Sequence, residues 1–586
     1  MRTLASDLLK RLARLTLILA GILTIIFSIP YIAPGGPERA LIGWPYTADR
    51  ASSLRMHYGF DRPLHEQYGL WLSHLITGEW GRSKFTGRPV IREVEFTLPL
   101  TLKFLAEIMV ITIVVGALFA LATLYPWHRP YSGRGQDLCA IATGFPDFFV
   151  GILMKFFFVW HLEWFPVGGF TFFAEYPWQA FRQLLLPALS VAVLYGIIIG
   201  PRVATRLTMG GEHGDHGVFG ATDLSSRSFW KLFMRSIGHS TLVLLQSSAL
   251  LFGSVMLAEK IFTIPGFGDF GIEAFVRRDY PKIQAFLLVI VGSYAVIRAL
   301  VEGVEAVRER LLQRQRPVLP AESPAKTPAG LGGLIMQDGF FLGAVLVVAL
   351  VTSTIFAGYV APALPDEVHM KDRLQPPTTQ YWMGSDLLGR DILSRVIYGG
   401  RHTLIVAAMS ATGALLLGGL LGAAAHVGRR LGAMVMTPMI QALEAFPPLI
   451  LGLLMMTLVG QGHWQESVAL TAALAPAIAA TLLYRKREFR FRSFLPVGLM
   501  AALWLHTCGI AIILEATLNF LDIGLLPLIP SWGGDLKANL PYLHVNPSIV
   551  LFPGMAVVIS ALGFTLMAQS VRKQTLAPPS LDRESC

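Results

Sequence analysis

The sequence predicts an all-α integral membrane protein with about twelve spanning helices, arranged as two parallel six-helix repeats. Three observations carry that prediction. Long stretches of the chain lack any charged side chain, basic residues cluster at regular intervals between them, and the second half repeats motifs of the first. Hydrophobic residues make up 53% of the 586 and charged residues 15%, where a soluble domain would carry about a quarter charged.

The apolar stretches set the element lengths. Residues 15–37, 108–127, 183–201, 240–258, 339–365, 403–425, 467–484 and 545–571 contain no Asp, Glu, Lys or Arg. At about 1.5 Å per helical residue, each is long enough to cross a hydrocarbon core of about 30 Å. Soluble helices of that length carry a polar stripe, which these lack. Four more spans centre on 142–159, 283–300, 431–458 and 493–514, each interrupted by a few polar residues. Cys139 and Cys508 fall within predicted spans and Cys586 ends the chain, so no disulfide framework or thiolate metal site is expected. Arg2, Lys10, Arg11 and Arg14 precede the first apolar run, as in a signal peptide. The run is long and no small-residue cleavage pattern follows it, so it reads as an uncleaved first helix.

Charge placement gives orientation. The formal net charge is +10, with basic clusters at the N-terminus and at 129–134, 308–316, 429–430, 485–492 and 572–573. Counted along the spans, all six fall on one side of the bilayer, which the positive-inside rule makes the cytoplasm for both termini. Nucleic-acid binding is not expected, because no basic patch interleaves with aromatics or sits in a recognisable module.

The repeat decides the architecture. Gly87-Arg88-Pro89-Val90-Ile91-Arg92-Glu93-Val94, ahead of Thr101-Leu102, aligns without a gap with Gly389-Arg390-Asp391-Ile392-Leu393-Ser394-Arg395-Val396, ahead of Thr403-Leu404, at an offset of 302. Gly144-Phe145-Pro146 followed by Gly151-Ile152-Leu153-Met154 matches Ala445-Phe446-Pro447 followed by Gly452-Leu453-Leu454-Met455 at an offset of 301. Glu259 followed by Pro265-Gly266-Phe267-Gly268 matches Glu515 followed by Pro530-Ser531-Trp532-Gly533, the glutamates now only 256 apart. The second half is therefore 45 positions shorter between Met455 and Glu515, a loss expected to fall on its cytoplasmic loop. Parallel repeats imply a pseudo-two-fold axis along the membrane normal, with a pathway between the halves. The organisation is a first half at 1–310, a proline-rich cytoplasmic linker at 311–334, a second half at 335–576 and a tail at 577–586.

These motifs, in this order, resemble a family. The first half is similar to the B-type permease of the dipeptide/oligopeptide/nickel class of ABC importers, through Tyr68-Gly69-Leu70-Trp71-Leu72, Gly78-Glu79-Trp80-Gly81-Arg82-Ser83, Glu259-Lys260-Ile261-Phe262, Pro265-Gly266-Phe267-Gly268 and Arg278-Asp279-Tyr280-Pro281. The second half is similar to the C-type permease, through Gly384-Ser385-Asp386-Leu387-Leu388-Gly389-Arg390-Asp391, Glu515-Ala516-Thr517-Leu518-Asn519-Phe520-Leu521, Pro530-Ser531-Trp532-Gly533 and Pro553-Gly554. The resemblance implies type I importer permease repeats in the inner membrane of a bacterium. It also implies ABC ATPase subunits docked below and a periplasmic substrate-binding protein above, where the stretches 38–95 and 366–401 would receive it. No Gly-x-x-x-x-Gly-Lys-Ser/Thr stretch is present to cradle phosphates, so no cofactor is expected on this chain, and ATP with Mg would belong to the partner ATPase. The chain itself is not expected to be an enzyme.

In the family, a short coupling helix in the loop after the fourth span fits a cleft on the ATPase. The matching stretch here is Phe219, Gly220, Ala221, Asp223, Leu224 and Ser225, with Asp223 where a glycine is usual and Gly220 where an alanine is usual. The bland alternative is a polar loop that joins two helices. The second half offers only Arg485, Arg487, Arg490 and Arg492, with Lys486 and Glu488, as a candidate cytoplasmic contact; ordinary positive-inside anchoring is the favoured reading of that run.

Candidates for the pathway or its gate are Asp147, Lys155, Glu259, Glu444 and Glu515, because ionisable residues within spans default to functional hypotheses. For Glu259 and Glu515 the favoured reading is structural, each accepting hydrogen bonds from the re-entrant segment that follows it. Asp147 and Lys155 lie too far apart along one helix to pair with each other, and Lys103 with Glu107 form an i,i+4 pair. His213 and His216, within a run of Gly, Glu and Asp, look like a metal site; a solvated cytoplasmic loop is the plainer reading, and no metal ligand is assigned.

The leading function is import of a small peptide, peptide-like solute, metal chelate or nickel by alternating access between the halves, driven by separate ATPases. An uncoupled channel or secondary carrier descended from such a permease is the alternative, motivated by the shortened second half. A membrane transferase would need convergent His, Asp or Glu at a membrane face, and the sequence shows no persuasive cluster of that kind.

Overall fold

A computed structural model describes residues 2–34, 36, 60–124, 139, 141–169, 171, 175–209, 226–246, 248–313, 338–427, 429–484, 497–525 and 529–576. Among these residues the secondary structure is helical, with isolated β-bridges at Arg82 and Pro89 and at Ser385 and Asp391. In chain order the helices of the first repeat are α1 (Arg2–Ile32), α2 (Leu64–Thr77), α3 (Val90–Leu124), α4 (Asp147–Lys155, continued by a π-helical turn Phe156–His161), α5 (Pro177–Met209), α6 (Ser226–Gln246), α7 (Ser248–Phe262), α8 (Phe267–Val276) and α9 (Tyr280–Gln313). The second repeat contributes α10 (Asp338–Ile355), α11 (Ile392–Val427), α12 (Arg429–Glu444), α13 (Pro448–Val459), α14 (His463–Tyr484), α15 (Val497–Phe520), α16 (Trp532–Asn539) and α17 (Ser548–Leu576).

The described parts of the twelve expected spans are predominantly helical. Among the described residues, eight helices are long and apolar enough to cross a bilayer unaided: α1, α3, α5, α9, α11, α14, α15 and α17. The other four segments are α4 with its π turn, the α6–α7 pair, the apolar stretch Gly339–Ile355 of α10, and α12–α13, which bends by 93°. That bend has a local cause: Pro447 and Pro448 cannot donate to the preceding turn, and Pro448 opens α13 at its first position. Large apolar side chains such as Val110, Leu118, Val345, Ile405, Leu416 and Leu420 stand exposed along these helices, a pattern that suits lipid and not water. The chain is a multi-pass membrane protein.

The expected concentration of the 45-residue loss in one loop is corrected. α14 has 22 residues where α5 has 33, and α15 has 24 where α6 and α7 together run to 21 and 15. Among the described residues, part of the difference therefore lies in shorter helices.

The chain forms two compact units, one of residues 1–142, 147–301 and 438–460, the other of residues 143–146, 302–437 and 461–586. In the first, α3 and α5 pack at close range: a Cβ placed on Gly196 would stand 2.4 Å from Val115, and one on Gly200 2.5 Å from Phe119. In the second, α11 packs on α14 and α10 on α17 in the same manner, with Gly413 against Thr471, Gly418 against the Ala475 carbonyl and Gly343 against the Gly563 carbonyl. Small residues replace the hydrophobic effect here, because lipid is as apolar as leucine and only close packing distinguishes a neighbouring helix from it.

The long helices α3 and α11 are each anchored by an ion pair in the first turn. Glu93 of α3 accepts from Lys282 of α9 at 2.5 Å in the first unit. At the matching register in the second, Arg395 of α11 donates to Asp535 of α16 and, through Nη1, to the Pro365 carbonyl at 2.9 Å. Burial raises the Asp535 carboxyl above its ordinary range, and the Arg395 guanidinium opposes that.

Candidate functional site

The two matching glutamates have different surroundings, and the difference begins with one residue at a helix start. In the first unit α8 begins after Gly266, which has no side chain to accept an N–H of the first turn. Glu259 of α7 supplies the acceptor. Asp269 donates its backbone N–H to Oε2 at 3.0 Å, and Thr101 of α3 donates its hydroxyl to Oε1 at 2.5 Å while accepting from the Phe267 N–H at 2.6 Å. A carboxylate at a helix N-terminus also meets the positive end of the helix dipole. Glycine is required for this approach, since a Cβ on Gly266 would lie 2.1 Å from Glu259 Oε1.

In the second unit the same register brings Thr403 to Glu515, its hydroxyl donating to Oε2 at 3.1 Å. Here, however, Ser531 occupies the cap, and its Oγ accepts from the Gly534 N–H at 3.2 Å. Glu515 instead faces Asn519, whose Nδ2 donates to Oε1 at 2.8 Å, and His402, whose Nε2 lies 3.4 Å from Oε1. The same His402 Nε2 is 2.9 Å from Oε2 of Glu466, and Asn519 Nδ2 reaches Glu466 Oε1 at 3.0 Å. The Asn519 amide is fixed by the Leu525 N–H, which donates to its Oδ1 at 2.7 Å. On the other side of the imidazole, His402 Nδ1 lies 2.6 Å from His463 Nδ1. His402, Glu466 and Glu515 are all buried. His402 and His463 also line a cavity of about 430 Å³ with Tyr398, Arg401, Met409 and Trp464. In the first repeat the register of His402 is held by Leu100, so the sequence builds this cluster in one repeat only.

The remaining pathway candidates lie apart from this cluster. Asp147, the first residue of α4, accepts from the Ser254 hydroxyl, which also lies 3.0 Å from the Tyr195 hydroxyl. Lys155 ends α4, donates to the Ile261 carbonyl at 2.9 Å and stands over the rings of Trp160 and Phe262. Both therefore lean on α7, the helix that carries Glu259. Glu444 is half-buried at the end of α12, ahead of the bend. For Glu107, Oε2 is buried without a hydrogen-bond partner. The coupling residues Phe219, Gly220, Ala221, Asp223, Leu224 and Ser225, the basic residues Arg485, Arg487, Arg490 and Arg492, and the pair His213 and His216 lie outside the described residues.

Of the five candidates, the structure brings Glu515 into the cluster, and the sequence reading did not anticipate His402, His463, Glu466 or Asn519. Two signals were present. His463 and Glu466 stand at i,i+3 and share a helix face. His402 directly precedes the repeat-matched Thr403, at a register where the other half has leucine.

No family model matches the chain. Among curated relatives, it is 30% identical over 306 residues to a probable peptide ABC transporter permease protein of Sinorhizobium fredii, covering 50% of this chain and 95% of the relative. It is 29% identical over 294 residues to the dipeptide transport system permease protein DppB of Lactococcus lactis, covering 50% of this chain and 92% of the relative. It is 27% identical over 252 residues to the dipeptide transport system permease protein DppC of Alkalihalophilus pseudofirmus, covering 39% of this chain and 83% of the relative. Each relative, over most of its own length, takes up half of this chain or less. With two internal repeats in the sequence and helical spans throughout both, the chain belongs to the family of peptide and dipeptide ABC transporter permeases and carries a B-type and a C-type permease in one polypeptide.

Proposed function

We propose that this chain is the membrane-spanning subunit of an ATP-driven importer for a small peptide or peptide-like solute, working by alternating access between its two repeats. The observation that carries the proposal is the alignment of a peptide permease along 95% of its length with half of a chain that holds two such repeats. ATP and Mg belong to separate ATPase subunits, and a periplasmic substrate-binding protein delivers the solute. In this reading the chain sits in the inner membrane with both termini in the cytoplasm, as the basic clusters require. The stretch containing Phe219, Gly220, Ala221, Asp223, Leu224 and Ser225 is the contact that transmits the ATPase stroke, and the arginines at 485, 487, 490 and 492 form a second, electrostatic contact. Metal chelates and nickel are further cargo within the same class.

The test is ATP hydrolysis in liposomes containing this chain, its co-expressed ATPases and the binding protein, with Ala221→Arg as the comparison. A bulky cation in place of a small residue at a docking surface blocks close approach. Binding protein with solute is expected to stimulate hydrolysis, and Ala221→Arg to abolish the stimulation without loss of folded protein. Hydrolysis indifferent to both would remove the coupled importer and leave a passive carrier.

A further inference from the structure

We propose that the second unit holds a binding site for one divalent transition-metal ion of the zinc class, ligated by Nε2 of His402 and by one carboxylate oxygen each from Glu466 and Glu515. The site does not depend on the importer reading, and it would be a resident ion and not cargo.

The first argument is proton accounting at His402. Its Nδ1 lies 2.6 Å from His463 Nδ1, so one of the two nitrogens carries the shared proton. When His402 Nδ1 is the donor, its Nε2 presents a lone pair to the two carboxylates, 2.9 Å from Glu466 and 3.4 Å from Glu515. A lone pair and two carboxyl groups converging in a buried volume must share a cation, either a proton or a metal ion, and three donor atoms converging from three helices suit a metal ion. In that tautomer the second imidazole nitrogen donates to a neighbouring acceptor, as a metal-bound histidine does in its second shell.

The second argument is charge. With both carboxyls ionised, as metal ligands must be, the set carries −2, and all three residues are buried. A divalent ion matches that charge, and mixed imidazole–carboxylate sets suit zinc, cobalt and nickel. The third is spacing. Tetrahedral bonds of 2.0–2.1 Å place adjacent ligand atoms about 3.3 Å apart. The three candidate ligand atoms all lie within 4.8 Å of one another, and the two separations involving His402 bracket the tetrahedral value.

The fourth is that the surroundings hold the ligands in place. Asn519 donates to both carboxylates and is itself fixed by the Leu525 N–H; Thr403 donates to the far oxygen of Glu515. Gly524 lets this happen, because a Cβ there would lie 2.3 Å from Asn519 Oδ1 and 2.8 Å from Glu466 Oε1. The cavity of about 430 Å³ that borders His402 and His463 offers a route for the ion and a place for a water to complete the coordination. The first repeat has leucine at the register of His402, and its Glu259 serves a helix cap.

The experiment uses the full-length chain in nanodiscs, with any affinity tag removed and metal stripped by a chelator. Co²⁺ is titrated while its visible d–d absorption is recorded, Zn²⁺ is then added as competitor, and metal content after desalting is measured by mass spectrometry. One equivalent of metal per chain is expected, with intense four-coordinate Co²⁺ absorption that Zn²⁺ displaces. His402→Gln and Glu466→Gln are expected to lose that absorption, Asn519→Ala to weaken binding by about 10- to 100-fold, and the exposed His65→Ala to leave it unchanged. Absence of stoichiometric metal in the wild type, or equal binding by His402→Gln and Glu466→Gln, overturns the proposal and leaves a proton-shared polar cluster. Should those variants fail to fold, the wild type decides alone. It must melt at a higher temperature with Zn²⁺ than with chelator, and an unchanged melt overturns the site.

Discussion

Substituting Gly266 by alanine tests the account of Glu259 most directly. The added methyl would lie 2.1 Å from Oε1, 2.3 Å from Cδ and 2.5 Å from Oε2 of Glu259, so the whole carboxylate must leave its place. Its bonds from the Thr101 hydroxyl and the Asp269 N–H are then lost, and the carboxylate is left buried without them. Hydrogen bonds to charged groups contribute about 1.5–3 kcal/mol each, so the two together set an expected loss of about 3–6 kcal/mol. The assay is unfolding of the detergent-solubilised chain in mixed SDS micelles, followed by tryptophan fluorescence, for the wild type, Gly266→Ala, Glu259→Ala and the double variant. Once Glu259 is removed the methyl meets no carboxylate, and the second substitution should cost less than about 1 kcal/mol. The cycle must therefore show coupling of several kcal/mol. Additivity within about 0.5 kcal/mol, the behaviour of independent sites, would refute the reasoning.

Other consequences follow from the same contacts. Arg395→Met leaves Asp535 buried without its cation and should destabilise the second unit by about 3–5 kcal/mol, whereas Arg395→Met with Asp535→Leu should recover most of that loss in the same unfolding assay. Gly343→Leu should separate α10 from α17, because even a Cβ would lie 2.6 Å from the Gly563 carbonyl; protease accessibility of residues 338–355 in nanodiscs reports the separation, and unchanged protection would refute it. Glu259→Gln should speed hydrogen exchange of the first-turn amides of α8. Glu515→Gln should leave those of α16 unchanged, since Ser531 caps that helix, and equal effects at both would contradict the assignment of caps.

The spans were legible because they rest on composition over about twenty residues, which local detail does not disturb. The ungapped 302-residue offset at the repeat starts was equally informative: it paired Thr101 with Thr403 and Glu93 with Arg395, and the structure gives each pair the same kind of task. Where the 45 residues went was not legible, because a shorter helix and a shorter loop look alike when the flanking motifs are all that is aligned. The cluster around Glu515 was hidden for a different reason. His402, Glu466 and Glu515 come from α11, α14 and α15, and no local pattern announces a meeting of three helices.

Repeats that start alike become free to diverge only where a structural duty passes to another residue. Glu259 and Glu515 open in the same position, each beneath a threonine from the long helix of its own repeat. In the first repeat the glutamate cannot be released, because Gly266 leaves α8 without a side-chain cap and Glu259 is the acceptor its first turn uses. In the second, Ser531 serves its own helix, and Glu515 no longer answers to α16. A carboxylate relieved of that role and still buried must be compensated, and His402, Asn519 and Thr403 provide the groups that do it. Glu466 then brings a second buried carboxyl group to the same imidazole and the same amide. Its convergence with His402 and Glu515 supplies the donor set that the proposed metal ion would use, so the divergence from helix cap to polar cluster fits that proposal.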